Sequence, residues 1–138
     1  MINNFKYKKA GFIYFLFSSF FLLEAYGQDY ELKTSMESGK KLYDLKCVSC
    51  HMDTGKGIVG AFPPLAKSDY LMQDVGRAAK IIISGVSGKM IVNGTAYYGA
   101  MPGYEMTNKE VSDVLNYITN SWGNKGEIVN EKTIESIR

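Results

Sequence analysis

The two cysteines and the single histidine of this 138-residue chain lie within five positions of one another. They are Cys47, Cys50 and His51, so every thiol and every imidazole of the protein is concentrated in one short segment. Thiols and imidazoles are the side chains that form disulfides, form thioethers or bind transition metals. The segment CVSCH is therefore the first candidate for a functional site.

Three kinds of chemistry fit a Cys-x-x-Cys-His segment. A redox-active cysteine pair is typical of a βαβ setting, which this sequence does not predict, and a disulfide across so small a loop would stabilise the fold little. A structural zinc site needs four ligands, and a carboxylate would have to complete this one. Covalent haem attachment uses all three side chains, because two thiols form thioethers with the porphyrin and the adjacent imidazole coordinates iron.

We therefore predict one haem c, bound covalently through Cys47 and Cys50, with His51 as a ligand of its iron. A packed cysteine pair beside an unrelated histidine is the remaining alternative. It would leave the concentration of these side chains unexplained.

Residues 1–27 have the features of an export signal. Three lysines precede the almost wholly apolar run 10–23, and Ala25 and Gly27 stand where a signal peptidase reads small residues. The apolar run is shorter than the about 20 residues that span a bilayer. We expect a cleaved signal and a periplasmic or otherwise exported protein, with an uncleaved membrane anchor as the alternative.

The remaining chain is electrically balanced. Three of the 16 basic residues and one of the 14 acidic residues lie in residues 1–27, so 13 of each remain. No basic stripe survives this removal, which argues against nucleic-acid binding. Contact with a membrane is expected only if residues 1–27 stay attached.

Helices and long loops are expected to position the motif, so the predicted fold class is all-α. Capping patterns predict five helix starts, at Thr34, Ser68, Asp74, Thr107 and Asn130. The clearest helix ends at Gly123 and carries an apolar stripe of Val111, Val114, Leu115, Ile118 and Trp122. The glycine-rich stretch after the motif and residues 86–106 show no periodic pattern, so we predict loops there and no strand.

The chain resembles the class I cytochromes c over about residues 35–123. The similarity rests on an ordered set of features: Gly39 and Tyr43 before the CVSCH segment, the FPPL loop after it, the MPG sequence and an aromatic terminal helix. The resemblance implies a cytochrome c fold, with about four to five short helices and long loops wrapped around one covalent haem. It also implies that the first and last helices cross where Gly39 meets Tyr117.

The second iron ligand is expected to be a methionine. Met52 adjoins His51 and cannot reach around the ring, so the candidates are Met72, Met90, Met101 and Met106. Met101 lies in the glycine-flanked turn YGAMPGY, where Pro102 restricts the backbone, so that little entropy remains to be lost on ligation. The family resemblance points to the same Met-Pro position. We therefore predict Met101, with Met90 as the alternative.

The resemblance also assigns a partner to the other ring nitrogen of His51. The family pattern places a proline two residues before a leucine, here Leu65, so the Pro63 carbonyl is the expected acceptor, with Pro64 as the nearby alternative. Such a hydrogen bond would fix the orientation and the basicity of the imidazole.

Together these features predict an exported monohaem protein, expected to be a monomer, that carries single electrons between a redox donor and a redox acceptor. It would cycle between Fe(III) and Fe(II) with His/Met ligation and would catalyse no reaction itself. Residues 28–123 would form the cytochrome c domain, and residues 124–138 an extension packed on or beside it. Two alternatives stay open: a haem subunit of a larger oxidoreductase, such as a nitrite- or sulfite-converting complex, and a haem protein with an open sixth iron position.

Overall fold

Six helices and one β-hairpin make up the secondary structure of residues 31–138, the part of the chain that the computed structural model describes. Helix α1 covers residues 31–46. The elements after it are α2 (Val48–His51), α3 (Asp69–Gln73), α4 (Val75–Ser84), β1 (Val86–Val92), β2 (Thr95–Met101), α5 (Asn108–Thr119) and α6 (Glu131–Glu135). The predicted export signal lies outside the described residues. Among residues 31–138, no helix has the length and apolar character needed to cross a bilayer.

Four of the five predicted helix starts are confirmed. Ser68, Asp74, Thr107 and Asn130 each accept a hydrogen bond from the backbone N–H three residues ahead. At Thr107 the capping box is complete, because its own N–H donates to the Glu110 carboxylate over 2.8 Å. Each cap stabilises its helix by about 1 kcal/mol.

Two predicted helix boundaries are wrong. Helix α1 is already formed at residue 31, so Thr34 lies inside it; the residues just before Thr34 are Glu, Leu and Lys, which are strong helix formers. Helix α5 ends before Asn120, ahead of the predicted stop at Gly123. The Asn120 side chain donates to a carbonyl of the last turn, and Trp122 then adopts a φ of 54°, which no helix can continue through.

Residues 86–106, predicted as a loop, contain an antiparallel β-hairpin. Strands β1 and β2 pair along their whole length, with Val86 opposite Met101. The turn is Asn93-Gly94, and both residues have positive φ, 50° and 75°, as is typical of a two-residue hairpin turn. Glycines and adjacent tyrosines within the strands conceal their alternation, which explains the wrong prediction.

Helices α1 and α5 cross at Gly39, as the family resemblance implied. A Cβ atom at this position would lie 2.9 Å from the Cβ of Tyr117 and would overlap the carbonyl oxygen of Asp113, so only glycine fits. Beside the crossing, the rings of Tyr43, Tyr117 and Trp122 pack together with centroids 5.2 to 5.4 Å apart. Because α1 leads directly into α2, this crossing sets the position of the CVSCH segment.

The core lies between α5 and the elements around it. Most of the predicted stripe on α5 is at most 4% exposed, namely Val111, Val114, Leu115 and Ile118. The C-terminal segment covers another side of α5: Ile134 of α6 is fully buried, and the Asn116 side chain holds the backbone of Val129 with hydrogen bonds of 2.7 and 2.9 Å. Residues 34–138 therefore form one compact unit.

Candidate functional site

The CVSCH segment forms a single helical turn at the end of α1. Cys47 is the N-cap residue of α2, and its carbonyl accepts hydrogen bonds from the N–H groups of Cys50 and His51, at 3.2 and 3.0 Å. Residues three and four apart share one face of a helix, so the turn carries its thiols and its imidazole together. Both thiols are free and half-buried, whereas His51 is only 8% exposed.

A large cleft opens beside this turn. Its empty space, counted with its open mouth, is about 1280 Å³. All five predicted site residues line it: Cys47, Cys50, His51, Pro63 and Met101. Most other lining residues are apolar, including Leu65, Leu71, Ile81, Ile82, Val86, Val92, Val114 and Ile118. The cleft can thus take a largely apolar group of considerable size.

One ring nitrogen of His51 already has a partner. Its Nδ1 lies 3.0 Å from the carbonyl oxygen of Pro63, the acceptor expected from the family resemblance. Burial lowers the pKa of His51, and the hydrogen bond to Pro63 opposes that effect only in part. The imidazole is therefore neutral at pH 7 and donates from Nδ1, which leaves Nε2 as the nitrogen that can bind a metal.

The loop that carries Pro63 folds back against the end of α2. The N–H of Gly57 donates to the His51 carbonyl over 3.0 Å. Gly57 has a φ of +60°, and a Cβ atom there would lie 2.7 Å from the carbonyl oxygen of Pro63. A glycine is therefore required for the loop to bring this carbonyl to the histidine.

The structure separates the four candidate methionines into two pairs. Met101, at the end of β2, and Met90, in the middle of β1, both line the cleft. Met106 is buried in the core, and Met72 packs against it without lining the cleft. Of the four candidate methionines, only Met101 and Met90 thus line the cleft, and these are the two residues that the sequence favoured.

The turn after Met101 is anchored to neighbouring elements. The N–H of Tyr104 donates to the carbonyl of Ile82 over 2.9 Å, and the Tyr104 hydroxyl donates to the carbonyl of Lys46 over 3.0 Å. Lys46 directly precedes the CVSCH segment. The anchored turn therefore holds Met101 at a fixed place relative to both thiols.

The environment of the thiols disfavours both a redox-active cysteine pair and a structural zinc site. Burial, the largest effect, raises the pKa of Cys47 to about 11, whereas a redox-active cysteine needs a lowered pKa. Within the described part of the chain, no three His, Cys, Asp or Glu side chains converge as metal ligands would. Among the described residues, no carboxylate therefore joins Cys47, Cys50 and His51 as the fourth ligand that a zinc site would need.

The hairpin supplies cleft residues that the sequence alone did not identify. Besides the two candidate ligands Met90 and Met101, strands β1 and β2 contribute Val86, Gly88, Val92, Tyr97, Gly99 and Ala100 to the lining. Their signal in the sequence is the dipeptide Asn93-Gly94, which is the strongest short indication of a hairpin.

The sequence of this chain is similar to those of known proteins. Residues 36–122 match the family model described as Cytochrome c. This chain belongs to the cytochrome c family. It is 34% identical over 102 residues to a cytochrome c-552 of Thermus thermophilus, in a match that covers 70% of this chain and 68% of that protein. A second Thermus thermophilus cytochrome c-552 is 36% identical over 95 residues, which cover 65% of this chain and 72% of that protein.

The cytochrome c also resembles part of a larger protein. The cytochrome c subunit of a quinone-dependent alcohol dehydrogenase from Gluconacetobacter polyoxogenes is 31% identical over 94 residues. The match covers 67% of this chain but only 20% of that subunit.

Family membership confirms the predicted fold, cofactor and general function. The fold is the mostly helical cytochrome c fold, the cofactor is covalently bound haem c with its iron, and the function is electron transfer. The residues present fit this group, because an apolar cleft holds two free thiols and a neutral imidazole at one wall.

Proposed function

We propose that this cytochrome c carries single electrons between redox partners by means of one haem with His/Met ligation. In this proposal Cys47 and Cys50 form the thioethers, His51 and Met101 bind the iron, and Pro63 orients His51. The observation that carries it is that all five residues line one apolar cleft.

The ligand set explains why such a protein would be a carrier. The haem, when bound, supplies the Fe(III)/Fe(II) couple, and a methionine ligand raises its reduction potential. If His51 and Met101 both bound the iron, a substrate would have no place on it. The buried surroundings of His51 and the apolar lining offer little polar stabilisation to a charge, which would favour the less charged, reduced site.

The proposal extends to the parts of the chain around the domain. We propose that residues 1–27 are an export signal, removed from a periplasmic or otherwise exported monomer, and that residues 28–123 are the cytochrome c domain. Residues 124–138 are its C-terminal extension, and their contacts with α5 support packing of the extension on the domain. The partners are one protein that donates electrons and one that accepts them.

A second candidate is a permanent electron-transfer subunit of a larger oxidoreductase. The similarity to the cytochrome c subunit of a quinone-dependent alcohol dehydrogenase favours it. This candidate predicts that the chain, affinity-purified from its native membrane or periplasmic fraction, retains one enzyme at a fixed stoichiometry. A free carrier is recovered alone.

Absorption spectra of the oxidised and reduced protein test the proposal. Low-spin bands are expected in both states, together with the weak far-red band of methionine-bound ferric iron. The reduced protein should bind carbon monoxide only slowly, because Met101 must first dissociate. Rapid, stoichiometric carbon monoxide binding would instead support an open sixth position and contradict the proposal.

A further inference from the structure

Asn124 is a buried amide with three hydrogen bonds, and the function described so far makes no use of it. It follows the C-terminal turn of α5 and is 7% exposed. Its Nδ2 donates to the carbonyls of Ile118 and Leu65, at 2.7 and 2.9 Å. Its Oδ1 accepts from the N–H of Lys67 over 2.7 Å. The Asn124 side chain thus joins the end of α5 to the loop after the CVSCH segment.

The bonded part of that loop adjoins the acceptor of His51. Leu65 is two residues after Pro63, and the intervening Pro64 has a fixed φ, so movement at Leu65 is transmitted to the Pro63 carbonyl. Lys67 has a φ of +51°, a conformation that a residue other than glycine adopts only when its surroundings hold it there. The hydrogen bond from its N–H to Asn124 supplies such a restraint.

Two further hydrogen bonds hold the same stretch of the loop from another side. The N–H groups of Leu65 and Ala66 both donate to the carbonyl of Gly55, at 2.7 and 2.9 Å. The loop is therefore held between the turn after α2 and the Asn124 amide. The Asn124 contacts tie it to α5, the best-buried helix of the domain.

We propose that Asn124 is a positioning residue for the proximal ligand: by holding Leu65 and Lys67, it keeps the Pro63 carbonyl on Nδ1 of His51. This inference rests on the proposed function, in which His51 binds the iron. Without the amide, the carbonyls of Ile118 and Leu65 and the N–H of Lys67 would lose this partner, and the loop would relax toward water. The 3.0 Å contact between His51 and Pro63 would then open more often.

The strength of the hydrogen bond from His51 to Pro63 affects the midpoint potential of the haem. A hydrogen bond from Nδ1 to a carbonyl raises the basicity of a metal-bound imidazole. A more basic ligand favours the ferric state, because that state carries one more positive charge. Weakening the bond from His51 to Pro63 should therefore raise the midpoint potential.

Asn116 provides a matched control. It is also a buried amide, 1% exposed, and it also makes three hydrogen bonds. Its partners are the hydroxyl of Ser35 and both backbone groups of Val129, so it holds α1 and the C-terminal segment but not the proline loop. Loss of Asn116 should destabilise the fold without reaching His51.

The test compares Asn124→Ala with Asn116→Ala in the haem-loaded protein. The readouts are the solvent-exchange rate of the His51 Nδ1–H, followed by NMR in the ferric state, and the midpoint potential. We expect Asn124→Ala to speed that exchange about tenfold and to raise the potential. In Asn116→Ala both quantities should match the wild type even though the protein unfolds at lower denaturant concentration.

A second variant covers the case in which Asn124→Ala does not fold. Asn124→Ser adds no buried charge and keeps a hydroxyl that can bond one of the three backbone groups, and should speed the exchange about threefold. Unchanged exchange in either variant, or an equal increase in Asn116→Ala, would overturn the role of Asn124 but would leave the proposed function intact. Absence of low-spin histidine-ligated bands from the wild type would overturn the assignment of His51 and this inference with it.

Discussion

Replacing Met101 with alanine is expected to lower the midpoint potential on the order of 0.1 to 0.2 V, a substantial part of the ~0.8 V range that axial ligands span. The thioether stabilises Fe(II) relative to Fe(III), so its loss favours oxidation. Met101 lines the cleft at the end of β2, next to the turn that Tyr104 anchors. Potentiometric titration measures the shift, and the far-red band of the ferric spectrum should disappear.

Met90→Ala is the control for this experiment. Met90 lines the same cleft from β1, where it pairs with Tyr97, so its loss perturbs the lining to a similar extent. We expect this variant to keep the far-red band and a potential close to that of the wild type. If Met90→Ala lost the band and Met101→Ala kept it, the ligand would be Met90; if both kept it, neither residue would be the ligand.

The Gly39→Ala variant is expected to be destabilised by about 3 kcal/mol or more, the upper end of the range for an overpacked core. A single methyl group there would overlap the backbone carbonyl of Asp113 and lie 2.9 Å from the Tyr117 Cβ. Backbone cannot move aside as a side chain does, so α1 and α5 would have to separate. The midpoint of guanidinium or urea unfolding of the haem-loaded protein measures the loss.

Gly76→Ala is a suitable comparison, since Gly76 is also helical. A Cβ atom there would lie 3.3 Å from the Asp74 oxygen that caps α4 and 3.8 Å from a methyl group of Ile137, so the cap would have to shift by a few tenths of an ångström. Alanine is the better helix former by up to about 1 kcal/mol, which offsets the disturbed cap, so the stability of this variant should stay within about 1 kcal/mol of the wild type. Equal stability of the Gly39→Ala and wild-type proteins would show that the helices do not meet as described.

Features determined by neighbouring residues could be predicted from the sequence. The caps at Ser68, Asp74, Thr107 and Asn130 each involve only a side chain and an N–H three residues away, and all four occur in the structure. The crossing at Gly39 could be predicted because a glycine inside a helix costs about 1 kcal/mol, which suggests that another backbone packs against it. The family resemblance supplied that reason.

Features determined by tertiary contacts could not be predicted in the same way. The hairpin strands pair with each other and line the cleft, so glycine and tyrosine replace a regular alternation, and only the turn Asn93-Gly94 marks them. Asn124 gave no signal at all, because its partners Leu65 and Lys67 lie 59 and 57 positions away along the chain. The role proposed for Asn124 depends on its burial, which no local pattern encodes.

Mass spectrometry of the denatured, haem-loaded protein, before and after digestion, tests the covalent attachment of haem. We expect the chain to retain the mass of one haem after denaturation and a peptide containing Cys47 and Cys50 to carry it through both sulfur atoms. A denatured chain with the unmodified mass, or a haem attached elsewhere, would contradict the assignment of the site.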